Sequence, residues 1–320
     1  MIHRKYFLWR PSMVFSFILS LLLFFNHLPS QNFLLPSDTL NKNRVTLIHL
    51  TNATLFTGTM IGLNSIWYSQ YPRSGFHFFN DNGEWNQMDK MSHSFAAYNE
   101  AYWSSKMYQW SGMSQRKSMM MGCIVSTAMQ LTVETLDGFS KQWGFSIGDL
   151  AANTFGAGLL FGQELLWKQQ KWLLKASYSR RNYPETLLNQ RADQLFGASY
   201  TERLVKDYNA QTYWLSINLA TTLKLNSKFP SWLNLAVGYG ADNLFGAVNN
   251  SFTLNGKAYN RNDLMRYRQF YLAPDIDFSR IKTKSHFLKT IFYALNIIKF
   301  PTPAVEFNTL HRNKFHWLFF

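Results

Sequence analysis

Acidic residues are scarce in this chain. Across 320 residues, 18 Asp and Glu stand against 32 Lys and Arg, a formal net charge of +14. Charged residues of both signs make up only 16%, and hydrophobic ones 47%, which excludes a disordered, self-repelling chain and implies a folded one. The basic excess suits solubility or attraction to an anionic surface. It does not point to nucleic acid, because no recognisable binding motif accompanies it and the N-terminus leads out of the cytoplasm. Cysteine is nearly absent. Cys123, in the run MMMGCIVSTAMQ, has no disulfide partner and no zinc spacing around it, and reads as a small core residue. A mean hydropathy of -0.20 excludes a polytopic helical membrane protein. The aromatic share of 17% suits interfacial work, including the girdles of a membrane β-barrel.

The N-terminus has the layout of a secretory leader. Arg4, Lys5 and Arg10 precede the uncharged apolar run Met13 to Phe25, and NHLPSQ follows. That run is shorter than the roughly 20 residues of a spanning helix, so an uncleaved anchor is the weaker alternative. Residues 1–31 are therefore expected to be a signal peptide. No cysteine lies near its exit, so lipid attachment there is not expected. Residues 32–50 read as a linker.

Two periods divide the remainder into an α+β protein. Residues 51–170 carry helical patterning in four segments, with Thr51 or Asn52 as the first N-cap, Gly138 as a stop, and Ser146 with Asp149 at capping-box spacing. Short connections predict an antiparallel bundle, and Gly158 and Gly162 form a small-residue spacing. Residues 171–320 change to period two, with six to eight strands and one helix in SHFLKTIFYALNIIKFP. Ser179 to Lys206 and Asn249 to Asp263 read as long loops. The chain closes on KFHWLFF, with Phe315, Trp317 and Phe319 on one face of a strand. Such a terminus resembles that of outer-membrane barrels, so the expectation is a small outer-membrane-type β-barrel or a curled antiparallel sheet.

Polar residues interrupt the apolar helices at one-turn spacings. Asp89 and His93 stand at i and i+4, with Lys90 beside them. Glu134 and Asp137 share the next acidic stripe, and Asp149, Asn153 and Gly156 share a third. In an up-and-down bundle these stripes converge at one end. An acid in a helix's last turn, such as Asp137, opposes the dipole and calls for a partner: Lys90, His93, the free amides of the next helix, or a cation.

The order D-K-x-x-H (Asp89, Lys90, His93), MSQRKSMMMG, E-x-x-D (Glu134, Asp137) and FSIGDLAANTFG (Ser146, Asp149, Asn153, Gly156) resembles the YfiM-like family over about residues 85–165. It is more faintly similar to VanZ-like membrane proteins. The YfiM-like resemblance implies a periplasmic or outer-membrane protein, often a short lipoprotein, without implying a reaction. The chain departs from the short members in lacking a lipid-attachment cysteine and in adding the β-rich half. The leading expectation is thus a structural or binding module at the outer membrane with a buried polar cluster. The alternative is an envelope hydrolase of lipid, glycan or peptide, in which His93 is the base, Asp89 orients it, and Glu134, Asp137 and Asp149 serve as acids or as ligands of a divalent cation. A barrel pore with the helices as a plug is a third, weaker expectation.

Overall fold

The computed structural model describes residues 33–66 and 68–320, so the expected leader lies outside the described residues. Helix α1 spans Lys42–Ile66, beginning well before Thr51. Asn41 explains the early start, because its side-chain oxygen accepts the Arg44 amide at 3.1 Å. Arg44 then ties this entry to the end of the next helix through the Trp110 carbonyl at 2.9 Å. Helices α2 (Met88–Trp110), α3 (Gln115–Asp137) and α4 (Ile147–Trp167) follow, and α2 packs against both of the others. Gly156 permits the α2–α4 approach, since a Cβ there would collide with the Ser94 carbonyl. Gly158 and Gly162 face open space, so their spacing serves no helix contact within the described residues. Gly138 is right-handed and ends α3 without the left-handed turn expected of it.

Helix α3 is inverted in polarity along much of its length. The buried stripe of α3 runs Ser118, Gly122, Ser126, Gln130 and Glu134 at four-residue steps, while Met120, Ile124 and Leu131 are exposed. Its polar groups are matched: Ser126 donates to the Ala97 carbonyl at 2.8 Å, and Gln130 to Glu100 at 2.9 Å. Such matching is what makes a polar helix interface tolerable.

The second half is an antiparallel sheet of six strands, ordered β1-β2-β3-β6-β7-β8: β1 (Trp172–Tyr178), β2 (Gln211–Asn218), β3 (Leu233–Asp242), β6 (Tyr267–Ile276), β7 (Thr302–Asn308) and β8 (Lys314–Phe319). The segments expected to be loops carry structure of their own. They hold α5 (Thr186–Phe196), α6 (Tyr200–Lys206) and the hairpin β4 (Ser251–Leu254) with β5 (Lys257–Asn260). Asn255-Gly256 turns that hairpin with both residues at positive φ. One-turn α7 (Leu219–Thr222) follows β2, and α8 (His286–Leu295) precedes β7.

The expected barrel is not formed. Among the described strands nothing pairs the outer edge of β8, and β1 gains only a short bridge, Ala176 to Ile297 and Lys299 at 3.1 and 2.9 Å. The curled antiparallel sheet, the other expectation, is what the chain adopts. Lys175 on β1 reaches Asp275 on β6 at 2.8 Å, and the Trp214 ring on β2 lies 5.9 Å from Phe319 on β8. The expected period of two is present, but the buried side carries the polar groups, around the Trp214, Tyr271 and Phe319 rings. Ser216, Asn218, Asn234, Gln269, Asp275 and Glu306 point inward. The opposite face carries one cross-strand row, Leu174–Leu215–Val237–Leu272–Val305–Phe315, across all six strands. A register shift in the β7–β8 pair separates Phe319, which is buried on Trp214 and Tyr271, from exposed Phe315 and Trp317. The three rings therefore do not share a face.

Candidate functional site

Lys90 organises the polar cluster. Its ammonium lies 2.6 Å from Asp81, 3.2 Å from Asp89 and 2.6 Å from Asp149. Asp89 and Lys90 occupy the first turn of α2, Asp149 the first turn of α4, and Asp81 the segment before α2. Both helix N-termini favour the carboxylates placed there. Ser146 caps α4 by accepting the Asp149 amide at 3.0 Å and donates its hydroxyl to Asp81 at 2.6 Å. The capping box is not reciprocal, because the Asp149 side chain turns to Lys90 instead.

His93 lies on the same face of α2, one turn further on. Its Nε2 is 3.8 Å from both Asp89 and Asp149, and its Nδ1 is 3.5 Å from Glu134 and 3.2 Å from the Asn153 oxygen. Glu134 also accepts the Ser146 amide at 3.3 Å, so the start of α4 supplies the partner that this acid near the end of α3 requires. Asp137 does not join the group around Lys90. It accepts the Trp143 indole and interacts with Tyr68. Gly156 contributes the close approach of α2 and α4 rather than a polar atom.

Two members escaped the sequence reading. Asp81 stands alone in a turn, and Tyr208, far along the chain, donates its hydroxyl to Asp89 at 2.7 Å. A lone Asp in FFNDNGEW and a Tyr in KDYNAQ carry no spacing signal; only the packing of the β-rich half against α2 brings Tyr208 there. That half also braces the entry to α2. Trp85, Asn86 and Gln87 all have left-handed φ, a strained run for non-glycine residues. The Trp85 amide bonds Ala247, Tyr239 bonds the Asn86 carbonyl, and Arg268 bonds the Gln87 side chain at 2.7 Å.

The environment divides the acids into two groups. Burial pushes Asp81 up, but hydrogen bonds with Asp149, Lys90 and Ser146 outweigh it and hold the group below its ordinary range. Burial is likewise outweighed at Asp89, by His93, Lys90 and the Tyr208 hydroxyl. Burial pushes Glu134 up to about 8. Burial, with the Asp89 charge behind it, raises Asp149 despite Lys90. One ammonium is shared by three neighbouring carboxylates, and burial disfavours the charged form of Asp149. Glu134 Oε1, Asp149 Oδ1 and Asn153 Nδ2 are buried without a directed hydrogen bond; the 2.6 Å approach of Lys90 to Asp149 is an ion pair of poor angle. Access is from the side of Asp89 and His93, whose side chains are 21% and 15% exposed against 1% for Glu134.

A divalent cation has plausible ligands in Asp89, His93 and Asp149, whose donor atoms lie within 4.8 Å of one another. The fit fails on charge, because the Lys90 ammonium already occupies the centre of the carboxylates. No curated protein and no solved structure matches the chain. Residues 75–162, little more than a quarter of the chain, match the family model described as "Predicted periplasmic lipoprotein (DUF2279)". That stretch holds every cluster member except Tyr208, and the match supports an exported, periplasmic protein associated with a membrane.

Proposed function

We propose that the chain is a structural or binding module of the cell envelope, held at the outer membrane, in which the Lys90-centred network pins α2, α3 and α4 to the β-rich half. The observation that carries this reading is a single ammonium shared by carboxylates from three chain segments, one of which is also bonded from the β half by Tyr208. Buried charges paired around one ammonium specify one arrangement of packed elements without needing to catalyse anything. The resemblance to YfiM-like proteins agrees with an envelope location.

A hydrolytic reading is favoured by one observation: acids with opposite shifts and three unpartnered polar atoms surround His93. In it His93 is the general base, Asp89 orients it, and Glu134 or Asp149 donates a proton to the leaving group. His93→Ala separates the two. The module reading predicts a clear loss of melting temperature. A variant that melts like the parent while losing activity on an envelope lipid, glycan or peptide would replace the module reading with the hydrolase.

A further inference from the structure

The apolar surface left outside by the inverted sheet continues into α8. Rows of Leu, Val and Phe cross the sheet, with Val237 46%, Leu272 42% and Phe315 55% exposed. In the next row Phe270 and Phe307 are also exposed, with Trp317 82% exposed beside them, whereas Tyr213 and Tyr239 of that row are covered by Phe95 and the segment before α2. Charge on this face is confined to its end, at Arg268. Helix α8 is turned the same way. None of its residues is buried, and Phe287, Leu288 and Leu295 face outward. Its Tyr293 faces the body of the protein, where the Lys106 ammonium lies 5.2 Å from the ring. Ile291, Phe292 and Tyr293 are half-buried on that side, which leaves Phe287, Leu288 and Leu295 exposed beside Lys289 for another medium.

The connections at the α8 end of the sheet, residues 168–171, 219–232 and 277–301, expose Lys168, Lys224, Lys228, Lys282, Lys284 and Lys289. Their one acid, Asp277, is bound to Arg280 at 2.9 Å. Apolar area bordered by unpaired lysines matches acyl chains bordered by anionic headgroups.

We infer that the outward face of the sheet and the apolar arc of α8 together rest in the surface of an anionic lipid bilayer. This deepens the membrane part of the proposed function by naming the contact surface and the lipid. The face lies in one leaflet rather than crossing both. Its exposed outward run on β3, Leu233 to Val237, rises about 13 Å, less than the ~30 Å hydrocarbon core. The unpaired β8 edge also forbids full immersion, because its backbone groups would find no partner in lipid.

The test is flotation of the full purified chain after detergent is exchanged for vesicles. One set contains phosphatidylethanolamine with about one-quarter phosphatidylglycerol, the other only phosphatidylcholine. The chain floats with the anionic set, and added salt weakens binding. Phe287→Asp with Leu295→Asp on α8 lowers the floated fraction about tenfold, as does Val237→Asp with Leu272→Asp on the sheet. Circular dichroism melting establishes that each pair folds; the α8 pair, on an exposed helix face, decides the matter if the sheet pair does not. A parent chain that stays down with anionic vesicles overturns the inference, as does an α8 pair that floats like the parent. So does a lipid-free dimer that buries this face and excludes vesicles. Failure here leaves the Lys90 network untouched, since that network is read by melting and not by flotation.

Discussion

Replacing Lys90 with Met removes the cation and keeps most of the side-chain volume. The ammonium has three carboxylates within 3.2 Å and a side chain only 12% exposed, so its loss leaves buried like charges facing one another. Removing one partner of a buried pair costs about 3–5 kcal/mol. The cost depends on pH. In the parent, Asp81 and Asp89 are held below their ordinary range, so their contribution is present above the unfolded value near 3.9 and is lost as pH falls through the folded value. In the variant both acids lose that support, and burial favours their protonated forms. The stability gap between parent and variant therefore widens from about pH 4 to pH 8. Urea denaturation followed by circular dichroism at these two pH values measures it. A loss under about 1 kcal/mol at pH 8, or a gap that does not change with pH, would refute the lysine-centred network. The same variant opens a carboxylate cage, so magnesium or calcium raises its melting temperature while leaving the parent's unchanged. Equal responses would show that Lys90 does not stand in the place of a cation.

Glu134→Gln tests the buried acid of α3. Burial raises this group to about 8, so its protonated form stabilises the fold at low pH and that contribution fades as pH rises from about 4.5 to about 8. The variant is thus more stable than the parent at pH 8 and close to it below pH 4.5, as melting curves across that range record. Tyr208→Phe removes a hydroxyl bonded to a carboxylate and costs about 1.5–3 kcal/mol, with strong coupling to Asp89→Asn in a double-mutant cycle. Additive effects in that cycle would show that the β half does not brace the site.

Helix period alone puts Asp89 with His93, and Asp149 with Asn153, on single faces, because residues one turn apart share a face whatever surrounds them. The three long helices α2, α3 and α4 and the strands of the second half were readable for the same reason. Alternation along a strand is symmetric, however. It separates Tyr213, Leu215 and Ile217 from Trp214 and Ser216 without saying which set is inside, and here the second set is. Phe319 moved from the face expected of it because β8 takes three steps, His316 to Phe319, where β7 takes two, and an extra residue in one strand shows only against its partner. Barrel closure failed because it depends on pairing the first and last strands, an event that neither sequence segment encodes alone. Backbone geometry repeats every few residues, so local sequence settles which side chains travel together. Asp81, Asp149 and Tyr208 meet at Lys90 only because distant segments pack, and that convergence belongs to the tertiary structure.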